Sequence, residues 1–411
     1  MRHAYTSIDF GSDSIKIVVC ELYHNKLNLL AASSYKARGI KNGLVIDPEL
    51  ALESLNGAVA DIESMLGFKI KDVIVSVPSY NASFTTIQGM VKVDGVVTED
   101  DITEVLNSAF KSKQIENKEM VAIIPAYFSI DNEEGLKDPK GYETSVLSVK
   151  AMMVSVPRKN IYSVASVIEN AGLEVVDIMV DGIGDINTFK DKNNVDKSCA
   201  IINIGAEKTN VSIYNKTVIV KNSIIGMGGK NIDQEIAYLY KLNPNDAIKL
   251  KETFALASSK YANSNDFYEI EDKYGDIRKI SQKEISELAE SVLQEILVLA
   301  RKEINLLTKQ PVDYIIITGG TSSMVNFDVL IEDILGGTSK VGTIRTPGAR
   351  SNKYSVALGN IVYFINKLKL KGIDYTMIDD EKLESSLNHK GIANISSDSM
   401  LGKVFGYFFN D

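Results

Sequence analysis

The sequence predicts an α/β protein built from two copies of one unit, and three observations carry that expectation. At 411 residues the chain is longer than one hydrophobic core normally grows. Its N-terminal run, Thr6 to Glu21, climbs through apolar residues to Asp9, turns through Gly11 and Ser12, and leaves as a second β-branched run. A near-copy stands at 200–214, where Asn203, Gly205 and Thr209 occupy the same order. Asp9 and Asn203 lie 194 residues apart, so the two turns can face one another across a cleft. Each motif taken alone is also compatible with a plain hairpin.

Composition removes several function classes. Forty-five per cent hydrophobic and 24 per cent charged residues is ordinary for a soluble protein. Cys20 and Cys199 sit far apart in apolar runs, which offers neither a disulfide framework nor a cysteine metal site and fits a reducing compartment. The three histidines, His3, His24 and His389, lack zinc-enzyme spacing and flank no nucleophile signature. A net charge of −9 without a basic stripe argues against nucleic acid as a partner. The N-terminus lacks the succession of a signal peptide and no run reaches the ~20 apolar residues of a membrane span, so peripheral membrane contact or none is expected.

The elements follow in order. A third strand is expected over 26–33 and a buried one over 71–78. From Asn81 to Lys159 the pattern changes to an inserted α/β subdomain, with a capping box of Thr98 and Asp101, strands at 120–125 and 146–156, and an acidic turn-rich stretch at 131–141. A helix over 161–172 ends at Gly172, and 175–180 is a strand. In the second half a strand is expected over 217–224, helices over 231–240 and 244–258, and an irregular polar segment over 263–279. Ser281 and Glu284 cap a long amphipathic helix running to about Leu307. A buried strand at 312–318 ends in Gly319-Gly320, the last helix spans 354–369, and residues 372–398 read as a flexible polar linker.

Small-residue turns suit phosphates, because their backbone N–H groups form an anion-binding concavity. Asp9 can hold Mg²⁺ through its water shell and Lys16 can reach a phosphate oxygen. Gly319-Gly320 allows a flat ligand such as adenosine to approach the backbone, and equally suits a turn kept small for packing.

These residues resemble the actin-like ATPases of the Hsp70–actin superfamily, and within it the FtsA cell-division family. Asp9-Phe-Gly11-Ser12-Asp13-Ser14 with Lys16 is similar to the first phosphate motif, and Asn203-Ile-Gly205 with Thr209 to the second. Thr318-Gly319-Gly320-Thr321 resembles the adenosine motif, and the segment from Gly228-Gly229 to Ala237 also matches. Val97 to Asp100, Gly135 to Gly141 and Glu169 to Val175 resemble the FtsA-type subdomain, and Gly135 to Gly141 in that context is the specific signal. The resemblance implies duplicated actin-like (RNase H-like) domains around a nucleotide cleft that takes ATP and Mg²⁺. It divides the chain into a first half (1–80), the insertion (81–160), a return (161–195), a second half (196–350, with its own insertion at about 230–311), a closing helix (351–370), a linker (371–397) and an amphipathic helix (398–411).

Three departures bear on mechanism. Asn203 replaces the usual Asp and brings no charge. Asp181-Gly182 stands where the family carries Glu-Pro, and a side chain one methylene shorter must still reach the attacking water, so slow ATP hydrolysis is expected. Asp181 also suits a solvated strand-end acid. Ile248 replaces an acid found in some relatives, which leaves Lys249 as the ribose candidate.

At the C-terminus Met400, Leu401, Val404, Phe405, Phe408 and Phe409 share one helical face, with Lys403 its single basic residue. A helix this short is marginal in water and should form on a surface, a membrane or the protein's own body. The resemblance implies a peripheral, membrane-tethered polymer on the cytoplasmic side at the division septum, which binds the FtsZ C-terminal tail, other copies of itself and further divisome proteins. Arg278, Lys279 and Lys283 are candidates for receiving the acidic tail, although each fits a solvated helix start better. A small-molecule kinase on the same fold and a type IV pilus-type adaptor remain alternatives.

Overall fold

Polar turns between β-branched runs drive the chain into a meander at once: β1 (His3–Phe10), β2 (Ser14–Tyr23) and β3 (Lys26–Lys36) pair antiparallel, with Asp9 opposite Lys16. The structure is a computed structural model and describes residues 2–112, 117–131, 133–379 and 381–383. After a two-residue ladder of β4 (Ile40–Lys41) with β5 (Leu44–Val45) comes α1 (Pro48–Leu66). The sequence reading passed over α1, although its signals are plain: Asp47 caps Leu50 N–H at 3.1 Å, a proline opens the first turn, and Ala51, Leu55, Ala58 and Ile62 form one buried stripe. β6 (Asp72–Val77) then pairs parallel to β1.

The insertion is β7 (Ser83–Val96), α2 (Glu99–Lys111), β8 (Lys118–Ile130), β9 (Glu133–Leu136) and β10 (Glu143–Pro157), in the sheet order β7-β10-β8-β9. It has a core of its own, in which Ile102 and Val105 of α2 pack on Ile87, Phe128 and Leu147. The capping box of Thr98 and Asp101 forms. The chain returns through α3 (Arg158–Asn170), β11 (Glu174–Val180, parallel to β6) and α4 (Asp181–Phe189).

The second half repeats the plan with β12 (Cys199–Ile204), β13 (Thr209–Asn215) and β14 (Val218–Ile225), followed by α5 (Gly229–Tyr240) and α6 (Pro244–Phe254). The expected irregular segment at 263–279 is instead a hairpin, β15 (Phe267–Glu271) and β16 (Ile277–Ser281). Its turn is organised by buried Asp272, which accepts from the Tyr274 and Asp276 N–H groups and from Arg278. The hairpin lies on the surface, so its strands carry little of the apolar alternation that would mark them. α7 (Gln282–Leu307), β17 (Tyr314–Thr318), α8 (Phe327–Leu335), β18 (Ser339–Val341) and α9 (Ser355–Leu370) complete the body.

The two large sheets run β11-β6-β1-β2-β3 and β14-β13-β12-β17-β18. In both, the first strand of the meander lies between an antiparallel neighbour and a parallel one, so the duplication read from two turns extends over five strands. α4 and α9 cross between the sheets at Gly184 and Gly359; a Cβ on Gly359 would lie 1.7 Å from the Gly184 carbonyl oxygen. No helix among the described residues is long and apolar enough to cross a membrane.

The linker expected from 371 begins instead as a strap docked on β1. Ala4 N–H donates to Thr376 Oγ1 at 3.0 Å, Met377 N–H donates to the Ala4 carbonyl at 2.9 Å, and Met377, Ile378 and Leu383 are buried. A short apolar patch at 375–378 among polar residues hid this contact from periodicity. The rest of the linker from 384 and the amphipathic helix at 398–411 lie outside the described residues.

Candidate functional site

The two meander turns are built alike. Gly11 N–H donates to the Ser14 carbonyl at 3.1 Å, and Gly205 N–H donates to the Lys208 carbonyl at 2.9 Å. They face each other across a cleft of about 480 Å³, within the ~300–1,000 Å³ typical of small-molecule sites. Asp9, Gly11, Ser12, Asp13, Ser14, Lys16, Asp181, Asn203, Gly205, Gly229, Gly319, Gly320 and Thr321 all line it. Positions more than 300 residues apart in the chain are thereby brought to one place.

On the first-half side, Asp9 Oδ1 accepts from Ser76 Oγ at 2.7 Å and its Oδ2 lies 3.3 Å from Lys16 Nζ. Asp181 is not a solvated acid: it opens α4, is buried, and its Oδ2 accepts from Asn210 Nδ2 at 2.6 Å and Lys208 Nζ at 3.2 Å. One turn further along α4, Asp185 accepts from Asn203 Nδ2 at 2.8 Å and from Ser355 Oγ at 2.7 Å. Burial pushes the Asp185 carboxyl up to about 7, against the lowering by those two hydrogen bonds. This acid joins the second-half turn to the start of α9.

Gly319 adopts φ 91°, and a Cβ there would sit 2.4 Å from the Ile204 carbonyl and 2.5 Å from Asn203 Oδ1. The close approach presses the β17 turn onto β12. Gly320 beside it meets nothing nearer than Lys353 Cβ at 3.9 Å, which leaves a backbone wall open for a flat group.

Three expected residues stand apart from the cleft. Thr209 is fully buried and donates to the Met227 carbonyl at 2.8 Å, so it holds the turn from behind. Gly228 packs under the second turn, where a Cβ would lie 2.5 Å from the Gly205 carbonyl. Lys249 is exposed on the far face of α6, whereas Ile248, Lys251 and Glu252 line the cleft, with Lys251 2.7 Å from Asp233 Oδ1. Helical spacing separates these neighbours, a step the sequence reading did not take.

It also missed Lys208, Lys230 and Lys353. With Lys16 and Lys251 these place five lysines around one cleft. The duplication itself was the unused signal for Lys208, since its position in the second turn matches Ser14 in the first. Lys230 bridges the halves, reaching Glu207 Oε1 at 2.9 Å and the Ser12 carbonyl at 3.4 Å. Burial, then the nearby Lys16, lowers the Lys353 ammonium from its ordinary value. Five lysines, backbone N–H groups and the carboxylates Asp9 and Asp181 form a donor set suited to a polyphosphate carrying a hydrated divalent cation.

Arg278, Lys279 and Lys283 lie away from the cleft on the β15–β16 side. Arg278 is held by Asp272 at 2.7 Å, Lys279 lies 4.6 Å from the Phe267 ring centre, and Lys283 donates to the Ser259 carbonyl at 2.9 Å.

Residues 200–359 match the family model described as cell division protein FtsA, and residues 81–155 match the SHS2 domain inserted in FtsA. Curated relatives carry the likeness over most of the chain. The cell division protein FtsA of Enterococcus hirae is 24% identical over 374 residues, covering 88% of this chain and 83% of its own; that of Staphylococcus epidermidis (strain RP62A) is 25% identical over 396 residues, covering 94% and 84%. The chain belongs to the FtsA family. Solved structures show that its fold is actin-like. The PilM–PilN type IV pilus biogenesis complex aligns with TM-score 0.58 at 15% identity, over 88% of this chain and 98% of the other. MreB5 of Spiroplasma citri bound to ADP aligns with TM-score 0.52 at 15% identity, over 90% and 98%. The FtsA-type insertion between β6 and α3 is thereby accounted for.

Proposed function

We propose that this protein is a membrane-tethered actin homologue of cell division that carries Mg·ATP in the cleft, polymerises, and holds FtsZ to the cytoplasmic membrane while helping to recruit the division machinery. The observation that carries this reading is the pair of facing turns with five lysines around them, in a chain of the FtsA family. Solved neighbours of the same fold were captured with ADP and AMPPNP. In this assignment the Gly11 and Gly205 turns, with Lys16 and Lys208, cradle the phosphates. Asp9 would hold Mg²⁺ through its water shell, and the ion when bound would neutralise phosphate charge. Gly320 and Lys251 stand beside the nucleoside. Asp181 has its Oδ2 engaged by Lys208 and Asn210 and is one methylene shorter than the Glu that it replaces, so it positions an attacking water poorly and hydrolysis is slow.

The tethering arm is tested by flotation on protein-free lipid vesicles, comparing the full chain with one ending at Ser396. The full chain alone should float. If neither floats, the reading gives way to the pilus-type adaptor, which the likeness to the PilM–PilN complex favours and which needs a protein dock. The FtsZ arm is tested by titrating an FtsZ tail peptide against Arg278→Glu with Lys283→Glu; unchanged affinity would remove that assignment.

A further inference from the structure

A second and larger cavity, about 1,140 Å³, opens where the insertion, the return segment and the edge of the second half meet. Its floor is apolar, with Ile123, Ile183, Ile186, Val218 and Tyr363 among the lining residues. Its polar lining is strongly one-sided. Eight lysines and two acids line it, in a chain whose net charge is −9. The lysines arrive from separate elements: Lys137 and Lys140 after β9, Lys150 on β10, Lys190 at the end of α4, Lys216 between β13 and β14, and the others along the end of α9.

Part of this charge is already answered. Lys367 pairs with Asp177 at 2.8 Å, Lys137 with Asp196 at 3.2 Å, and Lys140 lies 3.7 Å from Asp138. Lys150, Lys190, Lys216 and Lys371 make no ion pair among the described residues, and Lys190 has only the Asn187 amide oxygen, at 2.6 Å. Like charges crowd one another. Burial and then Lys137 bring the Lys190 ammonium down to about 8, and Lys371 is lowered by burial and by Lys367. Such a cluster gains most from an anion with several charges that several ammonium groups share.

We propose that this cavity is a second anion site, which takes a small, multiply charged phosphate compound with Lys190 as its central contact and Lys371 and Lys216 at its rim. The cation set converging from five segments favours a compact anion over an extended chain. The ligand would bridge the insertion to both halves. Because Lys190 must be charged to bind, affinity is highest below about pH 8 and declines as pH rises through that value.

The test is calorimetric titration of inorganic tripolyphosphate into the full chain carrying Lys16→Ala and Lys208→Ala, which weaken the nucleotide cleft, so that failure of the cleft assignment does not enter the result. Adding Lys190→Met should weaken binding tenfold or more, while Lys190→Arg retains it. The rim changes Lys371→Met and Lys216→Met should each weaken it about threefold, and they stand in should Lys190→Met melt early. Affinity at pH 9.5 should be several-fold below that at pH 7. No binding, binding indifferent to all these substitutions, or binding of hexaglutamate but not tripolyphosphate overturns the proposal.

Discussion

Asp185 shows how much one buried carboxyl can report. Its folded-state value, about 7, lies above the ordinary 3.8. Between those values the native protein keeps a proton that the unfolded chain has lost, so this group makes stability fall as pH rises from about 4 to 7, with little change above. Thermal melts across that range should show the fall, and Asp185→Asn should flatten it. An unchanged profile would mean that the group titrates normally. A second residue-scale prediction separates two lysines only two positions apart. Lys251→Ala should weaken ATP about tenfold, the order expected for losing one charge-assisted hydrogen bond, whereas Lys249→Ala should leave a nucleotide titration unchanged. Here the sequence reading stopped short: the motif pointed at α6, but only the helical phase says which lysine faces inward.

At the scale of elements, the crossing of α4 and α9 leaves no room for a side chain at Gly184 or Gly359. Gly359→Ala should destabilise the fold by about 3 kcal/mol or more in chemical denaturation, the upper end of overpacking costs, because backbone must shift rather than a side-chain tip. The strap makes a comparable claim. Ending the chain at Lys371 exposes the first turn of contacts on β1 and strips three buried apolar residues from the body, at ~1.5–3 kcal/mol for each fully buried side chain. The melting temperature should fall by several degrees; no change would mean that the strap contributes nothing. Strands and helices with strong periodicity or capping boxes were legible, as at Thr98 and Ser281. The surface hairpin β15–β16 and the strap were not, because their pairing is set by single polar residues and by distant partners such as Ala4, neither of which leaves a period in the sequence.

Across the whole molecule, the duplication was legible from two short turns because glycine, a polar residue at the strand end and a β-branched run recur at a fixed offset. The five-strand repeat of each sheet follows from that. What the repeat could not reveal is how polar groups of one half answer those of the other: Lys208 meets the Asp181 carboxylate, and Lys230 donates to the Ser12 carbonyl. These contacts join the lobes across the cleft, so nucleotide binding and the relation of the halves are expected to be coupled. Nucleotide binding in the cleft is measured most directly by a fluorescent-ATP titration of the full chain with Mg²⁺, repeated with EDTA and with Lys16→Ala plus Lys208→Ala. Saturable binding that weakens when Mg²⁺ is removed and drops at least tenfold in the double variant is expected. Binding absent from the full chain, or unaffected by the double substitution, would contradict it.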